Sequence, residues 1–173
     1  MDLANIKLNI LAKKEEKGTK AAIADLLGTF AISHPNFKKI VYREASEDKT
    51  VVITTEGNYG ESEKQLIRVP KNLLDFPIDF IAHMLAHEFV HIEQRARPGY
   101  NASREEREFE AYYHGVFPTK YNLPPCPDWL RLQFCKSIDR YYNNMGYELK
   151  KQYEPQYNEV MKVKRELEEA RLK

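Results

Sequence analysis

The sequence predicts an α+β fold, with a small, mainly antiparallel sheet following two N-terminal helices and a helical part after it. Three observations predict it. Apolar residues recur at helical spacing before residue 30 and again from Asp75 onward. Short β-branched runs bounded by polar turns crowd the region between Ile40 and Val69. Proline and glycine fall between these segments and seldom inside them.

Taken in order, Leu3, Ile6 and Ile10 give a first helix, closed by the charged run Lys13-Lys14-Glu15-Glu16-Lys17-Gly18. Thr19 is placed to cap a second, in which Ile23, Leu26, Leu27 and Phe30 share one face, and Ser33-His34-Pro35-Asn36 ends it. Ile40-Val41-Tyr42 and Val51-Val52-Ile53 read as a hairpin. Glu56-Gly57-Asn58-Tyr59-Gly60 is a turn, and Gln65-Leu66-Ile67-Arg68-Val69 is a third strand stopped by Pro70. Asp75 and Pro77 open a long helix that runs to Arg97, where Pro98-Gly99 stops it. Ser103 caps a shorter helix carrying Glu105 to Val116. Pro118 to Pro127 holds four of the nine prolines, which makes it the best internal hinge. Asp128 caps a helix from Trp129 to about Asn144, and a charged helix follows from about Gln156 to Lys173.

At 173 residues the chain is the size of one domain. It divides into an N-terminal part, 1–117, and a C-terminal part, 118–173. Lys+Arg number 27 against 26 Asp+Glu, and this near-neutrality argues against nucleic acid as the partner. A hydrophobic share of 42% with 11 Tyr and 8 Phe argues against disorder. No apolar run approaches the ~20 residues of a membrane span. The opening Met1-Asp2-Leu3-Ala4-Asn5 has no export signal, so the expected location is cytoplasmic. Cys126 and Cys135 cannot make a disulfide scaffold. Of five histidines, four fall between His83 and His114, and that bunching is the feature to explain.

His87-Glu88-Phe89-Val90-His91 is an H-E-x-x-H string inside the long helix. Residues four apart lie one above the other, so both imidazoles face one way and can share a Zn²⁺ at ~2.0–2.1 Å. Glu88, ~100° around the helix, is off that line and suited to take a proton instead of ligating. Ile81, Leu85, Ile92 and Ala96 form an apolar stripe that embeds the helix in a core. A catalytic zinc site needs a third protein ligand. The next helix offers Glu108, Glu110 and His114. Glu108 is preferred because Ala111 and Gly115, small residues on its face, permit close approach; Glu110 is its main rival. Glu105 and Glu106 read as solubilising residues of a surface helix.

H-E-F-V-H followed by a Glu-x-x-Ala helix resembles the gluzincin branch of the zincin metallopeptidases, with the small soluble minigluzincins and the ImmA/IrrE-like proteases nearest. The likeness spans the first strand to Gly115. It implies a zincin-like twisted sheet beside the zinc helix, with His87, His91 and Glu108 as metal ligands and Glu88 as the catalytic base. Tyr112 stands where that family frequently has Asp, so the usual carboxylate beside a ligand histidine lacks its residue. The resemblance also implies that the third strand is a sheet edge that pairs with an extended peptide. The third histidine of metzincins is absent after His91, and two isolated cysteines cannot build a zinc ribbon.

His83 is one turn before His87, too far along the axis to share an ion with His91; it would line the cleft or be a satisfied polar residue. Tyr112, Tyr113, Tyr141 and Tyr142 are candidates for an oxyanion donor. The sequence therefore predicts a zinc-dependent peptidase whose partner is a polypeptide substrate, with neither nucleic acid nor membrane involved. The alternatives are a non-catalytic, zinc-stabilised interaction module meeting a protein partner through the C-terminal helices, and a zinc amidase acting on a non-peptide amide.

Overall fold

The computed structural model describes residues 2–44 and 52–172. It is an α+β chain, with six helices and a three-stranded mixed sheet among those residues. They group into two compact units. The first takes residues up to Tyr100 together with Tyr121–Pro125, and the second takes Asn101–Lys120 and Cys126 onward.

In the first unit, α1 (Leu3–Lys17) begins on Asp2, whose carboxylate accepts from the Asn5 amide at 3.1 Å. Gly18 closes α1 by donating to the Lys14 carbonyl and opens α2 (Thr19–Thr29) at the same time. Its φ of 85° is the left-handed region, which a side chain would strain. Thr19, expected as the cap, is instead the first residue of α2.

The strands are β1 (Phe37–Arg43), β2 (Thr54–Glu56) and β3 (Gln65–Pro70), in the order β1-β3-β2. β1 runs parallel to β3 and β2 antiparallel to it. The expected hairpin of the first two strands and the mainly antiparallel sheet are therefore both corrected. The hairpin is β2 with β3, one connection later, and the longer ladder is the parallel one. Val51 lies outside the described residues, and Ile53 is buried in the core ahead of the strand, which starts at Thr54. Arg68 grips Glu56 through two hydrogen bonds of 2.6 and 2.9 Å and so sets the β2–β3 register. β3 is the central strand, paired on both sides, so it is not the free edge expected to receive a peptide.

The core of this unit joins α1, α2, the sheet and α3 (Ile78–Ala96), with Phe30, Phe89 and Ile67 sealed from solvent. Burying each such side chain is worth roughly 1.5–3 kcal/mol. Tyr121 and Leu123 pack onto the same core, and the Asn122 amide donates to the Phe30 carbonyl at 3.0 Å.

The second unit is α4 (Arg104–Val116), α5 (Asp128–Asn144) and α6 (Tyr147–Ala170). Pro127 takes the cap position of α5, and Asp128 is its first residue. α6 starts directly after Gly146, well before the predicted Gln156, and passes through Pro155. Pro155 is exposed, and the bond it cannot make is to the carbonyl of Lys151, itself exposed. The other face of α6 is held by packing: Tyr157 stacks on Tyr142 at 3.8 Å, Tyr153 meets Phe109 at 5.0 Å, and Val160 is fully buried. No helix among the described residues is long and apolar enough to cross a membrane.

Candidate metal centre

α3 rises from a single 3₁₀ turn, Leu73–Asp75, and Pro77 sets its first turn. Ile81, Leu85 and Ile92 are fully buried, as the apolar stripe predicts, and the polar residues His83, His87, Glu88 and Gln94 are buried with them. Polar groups taken out of water must be paired or committed to a ligand. Their partners therefore show what each one does.

His87 and His91 meet as predicted, with their Nε2 atoms 3.2 Å apart and their rings edge to face. Gln94 places its side-chain carbonyl 2.7 Å from His91 Nδ1. An amide oxygen only accepts, so His91 Nδ1 carries the proton and its Nε2 offers a lone pair. That lone pair points at the Nε2 of His87. Two nitrogens bound at ~2.0–2.1 Å to one tetrahedral ion stand about 3.3 Å apart, so the pair has the spacing a zinc ion requires. Gln94 is thus an acceptor that fixes the tautomer and orientation of His91.

Glu88 is 5% exposed and turns toward β2. The Thr55 hydroxyl lies 2.8 Å from Glu88 Oε2 and 2.9 Å from its main-chain carbonyl. Seven residues further along α3, on the same face, Arg95 donates to the Thr55 carbonyl at 3.1 Å and to the Gly57 carbonyl, and its guanidinium lies over the Tyr59 ring. β2 is thus tied to α3 at two heights.

His83 has a structural role. Its Nε2 is 3.0 Å from the Pro124 carbonyl, which ties the Tyr121–Pro125 segment to α3. Burial lowers its pKa, against the raising effects of that bond and of Asp79.

Glu108, Glu110 and His114 all stand on α4 in the second unit, and all three are partly exposed. The helix opens on a reciprocal cap: Ser103 accepts from the Glu106 amide at 3.2 Å, and Glu106 accepts from the Ser103 amide at 2.8 Å. Glu106 is therefore a capping residue, not merely a solubilising one. Gly115, taken in the sequence as room for the zinc helix, serves a different neighbour. A β-carbon there would lie 2.7 Å from the Phe134 ring of α5. Gly115 therefore does not favour Glu108 over Glu110. Burial, with a smaller contribution from the Glu108 charge, pushes the Tyr112 hydroxyl up to about 12. Tyr113 donates to Glu159 at 2.6 Å and Tyr142 to the Lys150 carbonyl at 3.2 Å, so both hydroxyls fasten α6. Burial pushes the Cys135 thiol up to about 11, which leaves it an inert packing residue, and the Cys126 thiol lies 3.8 Å from the Pro127 carbonyl.

No protein-family model, curated protein or solved structure matches this chain. Sequence reasoning missed Thr55, Gln94 and Arg95. A signal existed for Gln94, because three residues after His91 on a helix is within hydrogen-bonding reach. For Thr55 no local signal exists, since its partner is 33 residues away.

Proposed function

We propose that the chain is a zinc-dependent metallopeptidase in which His87, His91 and Glu108 hold Zn²⁺ and Glu88 is the general base. The observation that carries this reading is the pair of Nε2 atoms 3.2 Å apart, one with its lone pair fixed by Gln94. Two ring nitrogens and one carboxylate are the donor set of catalytic zinc sites, which keep a fourth position for water or substrate. Zn²⁺ supplies Lewis acidity there, lowering the pKa of a water and polarising a carbonyl.

The remaining chemistry belongs to the chain. Glu88 accepts a proton from the attacking water and passes it to the departing amine. Its burial limits competition from bulk water, and β2 keeps its carboxylate from swinging away. Gln94 holds His91 in the tautomer that keeps Nε2 a donor of electrons.

The test is metal content with activity. Purified protein carries about one zinc per chain by mass spectrometry, and His87→Ala carries none. Glu88→Gln retains the zinc but loses hydrolysis of fluorescein-labelled casein by roughly 10²–10⁴-fold. A wild-type chain that takes up no zinc overturns the reading. A zinc-loaded chain that leaves casein intact, with Glu88→Gln indistinguishable from it, points to the non-catalytic module instead.

A further inference from the structure

Thr55 is 8% exposed, and it is a polar residue on a three-residue strand with an apolar neighbour, Ile53, already committed to the core. Valine would fill the same space without a hydroxyl to satisfy. The hydroxyl instead lies against two oxygens of one residue, Glu88, at 2.8 and 2.9 Å. A hydroxyl has a single proton, and the shorter of its two contacts is to the carboxylate oxygen Oε2. The Thr55 main chain is held in turn, because its carbonyl accepts from Arg95 and its neighbour Glu56 is gripped by Arg68. The strand is therefore fixed at the residue that touches the carboxylate and at the one after it.

We infer that Thr55 is the positioning residue of Glu88: its hydroxyl holds Oε2, so that Oε1 is the oxygen that takes and returns the proton. This rests on the peptidase reading for its consequence, though the contact itself does not. A glutamate side chain has three rotatable bonds, and fixing one oxygen removes most of the orientations in which the other would miss its proton. Thr55 touches no reacting atom. It acts only through Glu88, in a strand that the H-E-x-x-H string says nothing about.

The experiment compares wild type, Thr55→Val and Thr55→Ser, each with ¹³Cδ-labelled glutamate, and uses Glu88→Gln to assign the Glu88 carboxyl resonance. Spectra are taken on the metal-free and the zinc-loaded protein. Thr55→Val is expected to move that resonance in both forms. It should lower kcat for labelled casein about ten-fold or more with KM and zinc content close to wild type, and the acceptor left unpaired should lower the melting temperature by an amount that Thr55→Ser recovers. Thr55→Ser, which keeps the hydroxyl, should return both the resonance and kcat. An unmoved resonance in Thr55→Val, or a Ser variant as impaired as the Val variant, overturns the inference. If wild type hydrolyses nothing when loaded with zinc, the peptidase reading fails and the catalytic role of Thr55 fails with it. The resonance then still decides whether Thr55 holds the carboxylate, so the two failures are distinguishable.

Discussion

Two clusters of polar side chains among the described residues, one in each unit, are built on opposite principles. In the second unit, Asp139 accepts from Lys164 at 2.7 Å, from Tyr157 at 2.8 Å and from Asn143 at 2.9 Å. Donors surround an acceptor, and the arrangement is complete as it stands. In the first unit, His87 and His91 bring like atoms together, two ring nitrogens 3.2 Å apart. One proton can bridge them, but a cation uses both lone pairs at once. Complementary atoms complete a scaffold by themselves, whereas two converging ring nitrogens are an arrangement that the proposed cation would complete.

The sharpest way to break that contrast is to add zinc and watch stability. A ligand that binds only the folded state at a thousand-fold excess over its dissociation constant adds about 4 kcal/mol. Thermal melting of the wild type should then rise by roughly 10 °C or more on addition of zinc, and EDTA should reverse it. His91→Ala should lose the shift entirely. Asp139→Asn should melt lower than wild type yet keep the whole zinc-induced rise. Equal shifts in all three would mean that the histidine pair is not the binding place.

A second and smaller effect tests what Gly115 is for. If its missing side chain makes room for Phe134, as the 2.7 Å approach indicates, Gly115→Ala should destabilise by about 1–3 kcal/mol. A compensating Phe134→Leu should recover part of the loss, measured by urea unfolding. Zinc affinity, read by competition with a chromophoric chelator, should stay unchanged. A fall in zinc affinity without a fall in stability would return Gly115 to the role that the sequence suggested.

These cases also show where the sequence was legible. Helices declared themselves through periodicity, and α3 with its embedded H-E-x-x-H string was read almost to the residue, because apolar spacing and burial are the same fact seen twice. The sheet was misread for want of local information. Ile40–Tyr42 and Val51–Ile53 look like hairpin partners when only neighbouring segments are compared. The parallel pairing of Phe37–Arg43 with Gln65–Pro70 instead depends on a crossover that no short window contains. At the site, the spacing of His87, Glu88 and His91 was enough to draw them from the string. Their supports divide by distance: Gln94 was within reach of the helix rule, and Thr55 was not. α6 begins at Tyr147, ahead of the predicted Gln156, and the Tyr153, Tyr157 and Val160 face holds it through Pro155.

The finest comparison between the two units is their response to acid. Burial holds the pKa of His83 down, outweighing the Pro124 carbonyl and Asp79, so the folded first unit keeps this ring neutral where the unfolded chain would charge it. The unfolded chain therefore binds the extra proton first. The stabilisation is complete above the unfolded value of about 6.5 and is lost as pH falls below it, toward the folded value. Asp139 behaves differently. Burial pushes its carboxyl up, but the hydrogen bonds from Lys164, Tyr157 and Asn143 outweigh that and hold it below the usual carboxylate range. Its contribution is present above about pH 4 and is lost only as pH falls through the folded value. Urea midpoints measured in EDTA at pH 7 and pH 5 should fall less in His83→Gln, which keeps a donor for Pro124 but cannot titrate, than in wild type. Asp139→Asn should track the wild-type slope across the same interval and part from it only below about pH 4. If His83→Gln falls as steeply as wild type between pH 7 and pH 5, the buried ring is not the acid-sensitive element of the first unit.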